Sequence, residues 1–225
     1  MKIEVISATR HSEADFWNTS ALGISLKRLA PGNTILPRIT FNNQEGLPKV
    51  YNNGIAAAEK ESTLVFVHDD VWIDDYFLSQ RVAEGLHHYQ LLGVAGNRRR
   101  VSQQPAWAFI NKSFTWDDKA NLTGAVAHGK HPFGPISFFG AVPNECELLD
   151  GVFLAAKKSV LVGANCFFDP RFTFHCYDMD FCRTARQNNV TLGTWPICLT
   201  HQSGGAFGSE QWKKSYGTYI EKWGE

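Results

Sequence analysis

Leu64-Val65-Phe66-Val67-His68-Asp69-Asp70-Val71 drives an apolar run straight into an imidazole and two carboxylates. Four strand-forming residues in succession read as a buried β-strand. His68, Asp69 and Asp70 then fall at its carboxyl end, where open α/β sheets place their ligands. Ionised carboxylates at such a mouth suit a hard divalent cation, and the cation in turn suits phosphate oxygens. The plainer alternative is that Asp69 and Asp70 only begin a turn before the next helix.

Upstream, Met1 to Ser7 has a strand pattern, with the strand itself at Ile3 to Ser7 and Ala8-Thr9-Arg10 at its carboxyl end. Ser12-Glu13-Ala14-Asp15 resembles a helix start, for a helix running through Trp17. Leu36 to Phe41 is a second strand ending in Asn42-Asn43, and Asn52 or Asn53 can cap a helix reaching about Lys60. Strand, helix, strand at this spacing is a βαβ unit with a parallel pair. Asp74 is a candidate N-cap for a helix over Phe77 to Tyr89, and Leu91 to Ala95 a further strand.

From Gly96 to Cys146 the pattern becomes irregular, with short strand candidates at Ala125-Val126 and Ile136 to Phe139. An aperiodic stretch of this length inside a compact domain is usually functional. We expect acceptor-side loops and a small antiparallel excursion there. Leu148 to Ala156 returns to strand character, Asp178 to Asn189 is a helix with a left-handed stop at Asn188-Asn189, and Val190 to Trp195 and Ile197 to Thr200 close the sheet. A short amphipathic helix from Glu210, with Trp212, Tyr216, Tyr219 and Trp223 near helical spacing, docks on its own domain.

The 225 residues suit one large α/β domain or two small ones, and 44% hydrophobic content is that of an ordinary soluble protein. Lys plus Arg balance Asp plus Glu at 22 each, which argues against a dedicated nucleic-acid binder. Neither a signal peptide nor a membrane-length apolar run is present, so the expectation is a cytoplasmic protein, free or held peripherally at the inner face of the membrane. Five cysteines without a Cys-x-x-Cys pair read as reduced core thiols.

The motifs gain meaning in order. Gly46-Leu-Pro-Lys-Val-Tyr-Asn-Asn-Gly-Ile55 precedes the central strand. Leu149-Asp-Gly-Val-Phe-Leu-Ala-Ala156, Phe167-Phe-Asp-Pro-Arg-Phe172, Tyr177-Asp-Met-Asp-Phe-Cys-Arg183 and Leu199-Thr-His201 follow it. From about Lys2 to His201 the chain resembles an inverting family 2 glycosyltransferase, most of all the subgroup named after a streptomycin-biosynthesis protein. That resemblance implies a GT-A-like (Rossmann-like), mostly parallel central sheet flanked by helices. It further implies a single domain with a nucleotide-sugar-binding half (1–97), an acceptor and catalytic half (98–209) and a C-terminal tail (210–225). Its implied function is metal-assisted transfer of a sugar from a nucleotide-diphosphate donor to a hydroxyl of a glycan, lipid-linked saccharide or small molecule, as in polysaccharide biosynthesis.

Carried over residue by residue, the resemblance makes Asp70 the most metal-engaged carboxylate and His201 a second ligand. Carboxylate, imidazole and diphosphate oxygens together favour Mn2+, with Mg2+ as the alternative. His68 stands where an Asp is usual, beside Asp69, and is a candidate for ribose or metal. Asp178 matches the catalytic base, although it is also a good N-cap, and Tyr177 replaces a Glu next to it. Ser7, Thr9, Arg10, Asn42 and Asn43 border the expected nucleotide crevice, Lys49 and Asn52 lie on the donor-side helix, and Asp150 lines the sugar and acceptor. Arg98-Arg99-Arg100 are candidates for an anion grip or a solvated turn, and Trp107 and Trp116 for a sugar platform or core packing. Two other functions compete: a catalytically silent nucleotide-sugar or glycan-binding module, and a sugar nucleotidyltransferase.

Overall fold

The computed structural model describes residues 2–32, 34–205 and 207–225; Met1, counted in the first strand pattern, lies outside the described residues. In chain order the elements are β1 (Ile3–Ala8), α1 (Glu13–Thr19), α2 (Ala21–Leu29), β2 (Ile35–Thr40), α3 (Leu47–Ala57), β3 (Thr63–Val67), β4 (Val71–Ile73), α4 (Leu78–Gly85), β5 (Leu91–Gly93), β6 (Ala95–Asn97) and β7 (Leu122–His128). β8 (Ile136–Gly140), β9 (Asn144–Cys146), β10 (Leu148–Leu149), β11 (Phe153–Lys157), α5 (Lys158–Gly163), α6 (Tyr177–Gln187), β12 (Leu192–Thr194), β13 (Leu199–His201) and α7 (Glu210–Trp223) complete them.

β3 is the spine. Leu64, Val65, Phe66 and Val67 are each 0% exposed, because β1 flanks the strand on one side and β11 on the other. At about 1.5–3 kcal/mol per fully buried large apolar side chain, these residues alone justify the strand over any local preference of its flanks. The main sheet runs β2-β1-β3-β11-β5-β12-β9. β1 is parallel to β2 and β3, and β12 to β5, but β11 is antiparallel to β3 and β5, as β9 is to β12. The expected α/β sheet is therefore present as a mixed sheet, with parallel pairs in β2-β1-β3 and in β5-β12. The physical reason is β11, which enters the centre from the opposite end after the chain has left to build a second sheet.

That second sheet corrects the scale of the expected excursion. It has six strands, ordered β10-β6-β7-β13-β4 with β8 on β7. The two short strand candidates become the β7–β8 hairpin. Leu91 to Ala95 is not one strand: β5 joins the main sheet and β6 the second, so the chain changes sheets at Val94.

Helix starts differ from the expected ones in instructive ways. Ser12 caps α1 as expected, accepting from the Asp15 amide, but a second Ser, Ser20, caps an unanticipated α2. α3 starts at Leu47 after Gly46 with Pro48 in its first turn, so Asn52 and Asn53 lie mid-helix. Asp74 caps nothing; its Oδ2 accepts from the Thr200 hydroxyl at 2.6 Å and the Phe133 amide at 3.1 Å. α6 is capped not by Asp178 but by Cys176, which sits in the left-handed region at φ 62°. α7 docks on its own domain, burying Trp212, Tyr216 and Tyr219. Among the described residues all five cysteines are free thiols, and no helix is long and apolar enough to cross a membrane.

Candidate functional site

β3 ends at Val67 and β13 ends at His201, and the two ends face each other above the junction of the sheets. His68, Asp70 and His201 each offer a ligand atom there, all within 4.8 Å of one another. His201 Nε2 lies 3.2 Å from Asp70 Oδ1 and 3.0 Å from Ser203 Oγ. Burial drives the Asp70 carboxyl upward, but the hydrogen bond and charge of His201 outweigh it and hold the group at about 2. Asp70 is therefore ionised at any working pH. Burial likewise pulls His201 down while Asp70 pulls it up further, and the net direction is up. His68 goes the other way, kept neutral chiefly by burial.

Tyr177 decides the tautomer of His68. The Tyr177 hydroxyl lies 2.9 Å from His68 Nε2 and donates to the Gly151 carbonyl at 2.8 Å. Its one hydrogen is thus engaged, so Nε2 carries the imidazole hydrogen and Nδ1 keeps its lone pair. A neutral imidazole oriented through its far nitrogen is the usual arrangement of a metal-ligating His. One ionised carboxylate and two imidazoles fit Mn2+ better than Ca2+, which prefers an all-oxygen set.

Across the same cavity stands Asp178, second residue of α6. Its Oδ2 accepts from the Gly151 amide at 3.1 Å and its Oδ1 from the Met179 amide at 2.9 Å. Burial, then the nearby charge of Asp150, raises the carboxyl to about 6 against the pull of those amides. Asp150 in turn accepts from Trp107 Nε1 at 2.8 Å and from the Val152 amide at 2.9 Å. The cavity, about 560 Å3, is lined by His68, Asp150, Asp178 and His201 together.

The remaining expected residues gather elsewhere. Thr9, Asn42 and Asn43 knit the ends of β1 and β2: Asn43 N donates to Thr9 O at 2.8 Å, and Thr9 Oγ1 accepts from the His11 amide at 3.2 Å. Arg10 is exposed beside them, Ser7 is fully buried with its hydroxyl unpaired, and the Asp69 carbonyl accepts from the Leu22 amide at 3.1 Å. Two expected contacts are otherwise engaged. Lys49 pairs with Glu45 at 2.8 Å, and the Asn52 amide is occupied on both sides by the Phe168 backbone, at 2.7 and 3.0 Å. The arginine run is engaged within the chain: Arg99 pairs with Asp117 at 2.5 Å, Arg100 with Glu225, and Arg98 donates to Ala120 O at 3.3 Å.

Sequence reasoning missed Tyr177 as a partner of His68, Ser203 behind His201, and the aromatic walls Phe109, Phe139, Phe174 and Phe207. Only the Tyr177 position carried a signal, as a departure from the expected acid.

No protein-family model matches this chain, and no curated protein matches it. Among solved structures, GalNAc-T7 with UDP, GalNAc and Mn2+ is similar over 98% of this chain and 48% of its own, at 13% identity and a TM-score of 0.56. The catalytic domain of Drosophila beta1,4galactosyltransferase 7 in complex with xylobiose is similar over 96% of this chain and 79% of its own, at 10% identity and a TM-score of 0.52. The fold is that of the GT-A glycosyltransferases. The chain spans about half the length of the GalNAc-T7 chain.

Proposed function

We propose that this protein is a metal-dependent, inverting glycosyltransferase acting on a nucleoside-diphosphate sugar. What carries the reading is one juxtaposition: His68 and His201, which cluster with Asp70, line one cavity together with Asp178. Asp70, His201 and the free Nδ1 of His68 would hold Mn2+ or Mg2+, and the cation would neutralise the departing diphosphate. Asp178 takes the proton from the acceptor hydroxyl, poised near its working pH by burial and by Asp150. Base and leaving group on opposite sides of the transferred sugar give inversion in a single displacement.

The nucleotide lies over Arg10, Asn42, Asn43 and Asp69, with Ser7 and Thr9 buried beneath them, within residues 1–97, and the acceptor in the half formed by 98–209. The subgroup is the one named after a streptomycin-biosynthesis protein, and the setting is cytoplasmic, free or held peripherally at the inner face of the membrane. A second reading, a binding module without turnover, draws on Tyr177, which occupies the place of an acid and touches His68.

The test is a thermal-shift panel of UDP-, GDP- and dTDP-sugars with Mn2+, with Mg2+ and with EDTA. Metal-dependent stabilisation followed by nucleotide release supports transfer. Stabilisation without release across many acceptors assigns the binding module, and no shift with any donor and either metal ends the transferase and the nucleotide-sugar-binding readings.

A further inference from the structure

Trp107 and Trp116 both line the cavity that contains Asp178, yet they are in opposite situations. Trp107 is 7% exposed, and its indole nitrogen is committed to Asp150. It is wall. Trp116 is 54% exposed, although its ring is braced: Phe139 stacks beneath it at 5.9 Å and 19°, and Phe109 meets its edge at 5.0 Å and 73°. An indole held rigid by two rings and left half open is a flat, preorganised apolar surface. Such a surface loses little side-chain entropy when a ring is laid on it.

The charges around it are one-sided. Among the described residues that line the cavity there is no Lys or Arg, while Asp150 and Asp178 both face in. The nearest arginine run is held away in ion pairs, Arg99 to Asp117 and Arg100 to Glu225. His175 is kept neutral by burial. An anionic ligand would meet two carboxylates and no Lys or Arg to offset them, His201 being already paired with Asp70 at 3.2 Å, a like-charge penalty in a partly desolvated space. An alkyl chain would fit the aromatic wall but leave both carboxylates desolvated without hydroxyl partners, which is also costly. A neutral pyranose satisfies both sides, since its C–H face packs on an aromatic ring while its hydroxyls donate to carboxylates.

We propose that the cavity is selective for uncharged saccharides, with Trp116 as the platform for the ring and two carboxylates without a lysine or arginine beside them as the filter against sialylated, uronate and phosphorylated glycans. This deepens the transferase reading and rests on it for the name acceptor, but the glycan site itself needs neither donor nor metal.

The experiment is therefore run in EDTA without nucleotide. A glycan microarray carrying neutral, sialylated, uronate-containing and phosphorylated glycans is probed with wild type, Trp116→Ala, Trp116→Phe and Ser137→Lys, each checked for an unchanged melting temperature. The hits are then titrated by saturation-transfer NMR. Ser137 lines the same cavity from β8 and carries no proposed catalytic role. Neutral glycans should bind at least tenfold more tightly than their anionic counterparts. Trp116→Ala should lose at least tenfold, Trp116→Phe should keep most of the affinity, and Ser137→Lys should admit anionic glycans.

Equal or better binding of anionic glycans overturns the filter, and an unchanged Trp116→Ala removes the platform. Affinity that rises with alkyl length from methyl to octyl glycosides assigns the wall to a lipid instead, and no binding by any glycan refutes the site. Glycan binding that survives while every nucleotide sugar fails in the thermal-shift panel sinks the transferase reading alone.

Discussion

Replacing Asp178 by Asn separates chemistry from structure, and the geometry around the carboxyl fixes what to expect of each. The carboxyl rises from its ordinary 3.8 to about 6. At 1.36 kcal/mol per pH unit, carrying the charge into the fold costs about 3 kcal/mol at neutral pH, an upper figure because the cavity is open to water. Asn abolishes that cost. It also has one carbonyl oxygen where Asp178 uses two, on the Gly151 and Met179 amides. One buried amide is left facing the new NH2, at about 1–3 kcal/mol. The two effects nearly cancel, so the Asn variant should melt within a few degrees of wild type at pH 7.5. The balance rests on these two amides and not on helix capping, which belongs to Cys176.

Turnover should still fall by about 10² to 10⁴-fold, the usual contribution of a positioned base. The pH dependence adds a second, independent reading. With a folded value of about 6, roughly 97% of Asp178 is ionised at pH 7.5 and about a tenth at pH 5, so wild-type transfer should drop close to tenfold between them. The stability sign is the reverse of an ordinary paired carboxylate. The fold binds this proton more tightly than the unfolded chain does, so wild type should gain stability over the Asn variant as pH falls from about 6 to 4. Nucleotide release at pH 5 to 8 and calorimetric melting of both proteins supply the data. An Asn variant keeping more than a tenth of wild-type turnover, or a wild-type profile flat from pH 5 to 7.5, would refute the assignment of the base.

Three further outcomes are expected. Asp70→Ala should abolish Mn2+-dependent UDP binding by calorimetry, a loss of several kcal/mol, while His201→Ala should raise the Mn2+ needed without abolishing it. Gly151→Ala puts a methyl 2.4 Å from the Tyr177 hydroxyl and 2.9 Å from Asp178 Cβ, so it should cost about 1–3 kcal/mol in denaturant melts and impair Mn2+ binding and turnover together. Asp117, whose carboxyl Arg99 holds well below the usual range against the effect of burial, contributes stability above about pH 4 that is lost as pH falls further. Asp117→Ala should cost about 2–4 kcal/mol and remove that acid-side slope, less than for a fully buried pair because Arg99 is half exposed.

What the sequence determined by itself is local. Leu64 to Val67 could bury nothing smaller than a central strand, and a polar triplet directly after it had to emerge at the strand's end. Thus the place of His68 and Asp70 just past a strand end was readable from their order in the chain, as were the helices that follow Ser12 and begin at Glu210. Tertiary structure decided everything set by chain reversal over long separations. It brought β11 into the sheet antiparallel, moved β6 into a second sheet, and carried His201 to within 3.2 Å of Asp70. It left Trp116 open and Trp107 closed, two indoles that no local pattern distinguishes. It also gave the amide of Asn52 to Phe168 and each arginine after β6 to a local or distant partner. Periodicity reports which face of an element is buried, but a polar side chain's partner is chosen by whichever unsatisfied group the fold delivers to it.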